Sequence, residues 1–176
     1  MATEVIKIVD PDNGSGTNYT SLSAWEAGEQ GDLTGARDEI AVAKCRCTGG
    51  TADSAVTIDG FTTSTTQYIQ IWTDPSESYR HDGKWKADAY RLQATGDDSV
   101  IVIGDNNVRL IGLQLKELNA DYDRRCITII PTGTLDTGVI IDKCILTGTA
   151  KSWGVYTATD DSIITIKNSI FRIPKF

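Results

Sequence analysis

The residues with chemical potential are a few carboxylates and one mixed segment. Asp121 and Asp123 stand two apart and run directly into Arg124-Arg125, and Asp160-Asp161 are adjacent. Glycoside hydrolysis needs two carboxyls, ~5–5.5 Å apart for retention and ~6.5–9.5 Å apart for inversion. Asp121 and Asp123 with their arginines also have the makeup of a calcium-plus-arginine lyase site, calcium being a ligand of carboxylate oxygens. The plain reading of such acids is that they sit in turns, where they bind backbone N–H groups and aid solubility.

His81 is the single histidine, in Ser78-Tyr79-Arg80-His81-Asp82-Gly83-Lys84-Trp85-Lys86. No G-x-S-x-G elbow accompanies it, so a nucleophile–histidine pair has no sequence support. The segment is dense in aromatic and cationic groups instead. Tyr79, Arg80, His81, Trp85 and Lys86 could stack on a sugar ring or anchor a partner, since such residues concentrate at interaction hot spots. The alternative is that its aromatics pack the segment onto the protein wall.

Four cysteines in 176 residues are too few for a disulfide scaffold. Cys45 and Cys47 would share one face of a strand, and C-x-C followed by single Cys126 and Cys144 lacks the spacing of structural zinc sites. Buried thiols are the expectation, with a Cys126–Cys144 disulfide the other pairing reading. No metal is expected from the cysteines, and no cofactor beyond that calcium reading.

The chain that positions these groups has 40% hydrophobic and 23% charged residues, the balance of a folded globular protein, and a length that fits one domain. Seventeen Lys+Arg against 24 Asp+Glu give a net charge of -7. That field repels nucleic acid. No apolar run approaches the ~18 residues that span a bilayer, and Met1-Ala2-Thr3-Glu4 lacks the basic and apolar parts of a signal peptide. Neither membrane nor signal-dependent export is expected; release by phage lysis remains a route to the outside.

Val5 to Val9 alternates like a strand and ends in the turn-forming Pro11 to Gly16. Thr20 to Ala27 predicts a short amphipathic helix: its hydroxyls can cap, and Leu22 and Trp25 lie three apart. Beyond residue 38 the sequence predicts only short strands, among them Val108 to Leu115, Val139 to Leu146 and Ile163 to Ile173, which makes the chain all-β. The Thr62 to Thr66 run and the Gly104 to Asn107 and Gly133-Thr134 turns match neither a regular threonine ladder nor a phosphate loop.

Internal repetition separates a sandwich or barrel from a solenoid. Ile111 to Leu115, Ile141 to Ile145 and Ile166 to Ile170 share an I-x-x-x-[IL] frame at spacings of 30 and 25, each preceded by another apolar strand. Such repeats suit coils whose strands stack in parallel, because one coil cannot bury its apolar face alone. Residues 1–37 then form an N-terminal strand and helix, and 38–176 about five or six coils, interrupted by a polar loop insertion at 73–88.

These frames, the bend residues Asn106-Asn107 and Asn168, and the Thr20 to Ala27 helix resemble the right-handed parallel β-helix proteins of the pectate-lyase-like type, many of them phage tail or virion surface proteins. The resemblance implies that the helix caps the first coil. It also implies a structural or glycan-contacting, non-enzymatic module of a larger assembly such as a phage tail, spike or virion surface. Partners would be other subunits, as a homotrimer or fibre, and polysaccharide. The other reading is a polysaccharide lyase or glycoside hydrolase module using Asp121, Asp123, Asp160 and Asp161. The polygalacturonase pattern of N-T-D, Asp pair, G-H-G and R-I-K is met here only by Asp160-Asp161. The last frame is followed by no second helix, so the terminal coil is expected to meet another subunit, as in a self-assembling fibre or adhesin, or a continuation of the stack.

Overall fold

A computed structural model describes residues 1–96, 99–119, 124–130, 138–149, 151–158 and 163–173. In chain order they form β1 (Thr3–Val9), α1 (Leu22–Glu29), β2 (Glu39–Cys45), β3 (Val56–Ile58), β4 (Ile69–Trp72), β5 (Arg91–Ala94) and β6 (Ile101–Ile103). These are followed by β7 (Val108–Ile111), β8 (Gln114–Glu117), β9 (Arg124–Ile129), β10 (Val139–Asp142), β11 (Ile145–Thr147), β12 (Ser152–Thr157), β13 (Ile164–Lys167) and β14 (Ile170–Arg172). The protein is all-β, with α1 its only α-helix among the described residues.

The strands make three sheets, in the orders β1-β2-β4-β7-β10-β13, β5-β8-β11-β14 and β3-β6-β9-β12. Every pairing between them is parallel. From β5 onward the chain visits the second, third and first sheets in strict rotation. Before β5, a parallel bridge from Asp53 to Leu92 stands where a strand of the second sheet would be.

Parallel register stacks like on like. In the first sheet Ala43, Ile71, Leu110, Ile141 and Ile166 are successive partners. In the third, Val56, Ile101, Ile127 and Val155 are partners, and in the second, Leu92, Leu115, Leu146 and Phe171. All of these side chains but Val155, Ile166 and Phe171 are buried, and β-branched residues suit a pleated, packed surface. Burying each large one contributes roughly 1.5–3 kcal/mol.

The register corrects the sequence reading in one place. Leu110, not Ile111, faces Ile141, so the first repeat is 31 residues long, and Gln114, not Leu115, faces Ile145. The stretches Val108 to Leu115, Val139 to Leu146 and Ile163 to Ile173 are also two strands each. They are broken at Gly112 (φ 73°), Lys143 (φ 53°) and Asn168 (φ 52°), each the residue after the first-sheet strand. In these three repeats a left-handed residue turns the chain from the first sheet into the second at the same point.

The predicted helix forms two residues later than read, as α1. Ser21 caps it, its Oγ accepting from the Ala24 N–H at 3.0 Å. Leu22 and Trp25 are fully buried, with Trp25 stacked on Phe61 at a centroid distance of 5.9 Å.

All four cysteines are free and buried. Burial pushes the Cys126 and Cys144 thiols up to about 12 and raises those of Cys45 and Cys47. The thiolate is the reactive form. At pH 8 the folded protein is expected to resist a thiol reagent and the urea-unfolded protein to titrate four thiols. Fewer than four in non-reducing urea would reveal a disulfide.

Candidate functional site

The aromatic and cationic segment lies between β4 and β5, where residues 73–90 contain no strand. It is fastened to the second sheet by Gln114, a fully buried amide at the position that carries Ile145 and Ile170 in the next repeats. Gln114 Oε1 accepts from the Lys86 N–H at 2.7 Å, and its Nε2 donates to the Lys86 and Tyr90 carbonyls at 2.9 and 3.3 Å. Arg80 Nη1 donates to the Thr73 carbonyl at 2.9 Å, and its guanidinium lies over Gly112, 2.5 Å from where a Cβ would be. Position 112 therefore needs glycine to make room for Arg80, since Lys143 and Asn168 adopt the same left-handed backbone in the next repeats.

His81 Nδ1 accepts from the Gly83 N–H, and burial lowers its pKa. Lys86 Nζ pairs with Asp82 at 3.3 Å, and Lys116 Nζ stands 5.8 Å from the Trp85 ring. The structure thus brings Tyr79, Arg80, His81, Trp85 and Lys86 together as half-buried members of a layer against the second sheet. Gln114→Ile keeps the apolar volume and removes the fastening. We expect trypsin to cut that variant at Lys84 or Lys86 at least tenfold faster, with global stability changed less. Unchanged cleavage would mean that packing alone holds the layer.

Asp121, Asp123, Asp160 and Asp161 lie outside the described residues, and with them the calcium reading. Among the described residues no group of His, Cys, Asp and Glu is arranged to hold a metal, and no helix is long and apolar enough to cross a membrane.

A different set of acids is assembled where α1 meets the third sheet. Glu26 Oε1 accepts from the Asp59 N–H at 3.4 Å, and Asp105 Oδ2 from the Phe61 N–H at 3.1 Å. Burial pushes the Asp105 carboxyl up to about 6, with the nearby Asp59 charge adding to it, and burial likewise raises Glu26. Two open concavities flank these acids. One of about 320 Å³ is lined by Ser23, Glu26, Thr57, Ser99 and Val102, and one of about 200 Å³ by Phe61, Thr63, Asp105 and Asn106.

The outer face of the third sheet continues from the larger concavity. Thr57, Val102, Thr128 and Tyr156 form one row in register across its four strands, while Ile101, Ile103, Ile127 and Ile129 are buried. Ser99 Oγ and Thr128 Oγ1 are 2.6 Å apart beside this row. At the row's end Arg125 lies over the Tyr156 ring, 4.0 Å from its centroid, and faces the exposed Trp153 in register.

Comparison with family models, curated proteins and solved structures gives no match. Any assignment therefore rests on the geometry above. Neither the Glu26, Asp59 and Asp105 cluster nor the Arg125, Tyr156 and Trp153 group was found from sequence. Parallel register places Arg125 opposite Trp153, 28 positions away; the signal available was the Trp153-x-x-Tyr156 pattern on a short strand.

Proposed function

We propose that the three sheets are the faces of a right-handed parallel β-helix of the pectate-lyase-like kind. We propose further that the protein is a non-enzymatic structural and glycan-contacting module of a larger assembly, such as a phage tail, spike or virion surface. The observation that carries this reading is the rotation of the chain through three all-parallel sheets, a stack that presents rows of side chains along its faces. β12, β13 and β14 are edge strands of the three sheets at the same end, and they carry exposed Ile166 and Phe171 in ladders that are buried elsewhere. Parallel edges over exposed apolar side chains accept further strands, of a continuing chain or of another subunit.

The test is light scattering across a concentration series, alongside reducing-sugar and unsaturated-product assays on acidic and neutral polysaccharides with calcium present. A trimer or growing species without product is the expected result. A monomer at every concentration that cleaves a glycan would overturn the reading. The second reading, a glycoside hydrolase, is favoured by Asp105, whose raised pKa suits a proton donor at the rim of a concavity. Loss of any product in Asp105→Asn would assign the cleavage there.

A further inference from the structure

We propose that Arg125, Tyr156 and Trp153 form a binding subsite for a saccharide unit bearing a carboxylate. The proposal rests on the glycan-contacting part of the function above and names the class of sugar.

Arg125 is one of the cations of a chain with a net charge of -7. Among the described residues no carboxylate pairs with it. Among the described residues its ring contact is with Tyr156, and its Nε is buried without a hydrogen-bond partner. Stacking on a tyrosine fixes the guanidinium plane and, with Nε buried, leaves its two Nη groups as the donors for a ligand. Such a fork matches a carboxylate in bidentate fashion. Trp153, across from Arg125 and 56% exposed, supplies a flat apolar face of the kind that stacks on a sugar ring.

The rest of the row fixes the order of units. Beside Tyr156 the row runs through Thr128, which is buried and hydrogen-bonded to Ser99, and it reaches the exposed Thr57 after three strand spacings, roughly 14 Å. Glu26 lines the concavity at that far end and disfavours a second anion there. The site is therefore fitted to an acidic unit at the β12 end followed by neutral units toward α1. The exposed Thr57 hydroxyl and the nearby Glu26 at the far end favour a sugar chain over an acidic protein surface, which would bring carboxylates against Glu26.

The test is calorimetric titration of the full chain, at low ionic strength, with a xylo-oligosaccharide carrying one glucuronic acid and with its carboxyl-reduced counterpart. The acid is expected to bind about tenfold more tightly, the discrimination typical of a charge-assisted pair. Arg125→Gln should erase that difference while leaving the affinity for the reduced sugar and the thermal midpoint unchanged. Trp153→Ala should weaken both ligands. Equal affinities for the two sugars, or a difference that survives Arg125→Gln, overturns the inference while the glycan-contacting reading stands. Failure of these and of neutral polysaccharides to bind removes that reading as well. Binding of poly-glutamate through Arg125 with no saccharide bound overturns the inference in favour of an acidic protein partner.

Discussion

Replacing Asp105 by asparagine stabilises the protein at pH 7 and leaves it nearly unchanged at pH 4. Asp105 is 6% exposed, and its carboxyl is pushed from the ordinary 3.8 to about 6. The raised folded value fixes the sign. Between pH 4 and 6 the folded state holds a proton that the unfolded state has released, so stability falls as pH rises through that window and stays low above it. The shift corresponds to about 3 kcal/mol at full strength. An asparagine side chain there would carry no charge to desolvate and could still accept the Phe61 N–H through its amide oxygen. Urea unfolding should show a gain of about 1–3 kcal/mol at pH 7 that shrinks toward zero at pH 4. A gain of equal size at both pH values would show that repacking, not ionisation, is responsible.

Asp53→Ala is expected to produce the largest loss. Asp53 is buried where α1 begins. Its Oδ2 accepts from the Leu22 N–H at 2.8 Å and the Tyr90 hydroxyl at 2.7 Å, and its Oδ1 from the Ser54 N–H. Its backbone joins β5, donating to the Arg91 carbonyl and accepting from Gln93. Alanine keeps those backbone bonds and strands two buried donors, at about 1–3 kcal/mol each. A total of about 3 kcal/mol would lower the thermal midpoint by roughly 10 °C. Asp53→Asn should cost less, because an amide oxygen can still accept. A midpoint within 2 °C of the parent for Asp53→Ala, on the scale of ~2–4 °C per kcal/mol for this size, would show that water takes over both donors.

The strands and their stacking were readable because apolar β-branched residues recur between Asn, Asp and Gly turns. The register was misread at one repeat because Leu110 and Ile111 are both apolar, and only pairing decides which one faces Ile141. The bend at Lys143 was hidden because lysine does not advertise a left-handed backbone, whereas Asn168 does. The 79–86 segment was recognised by composition. Its fastening was not, since Gln114 reads as an ordinary outward polar residue until the layer above it is known. Both candidate sites on the third sheet join residues far apart in sequence, which no local pattern reveals.

The parallel ladders also give the molecule a direction. Each strand bonds only to its neighbours one repeat before and after, so cooperativity passes along the stack as it does in a one-dimensional array. One end is closed by α1 with Leu22 and Trp25 fully buried, and the other exposes β13 and β14. Opening therefore starts from the exposed end, and amide protons of β13 and β14 exchange with solvent before those of β4 and β7 in the middle of the stack.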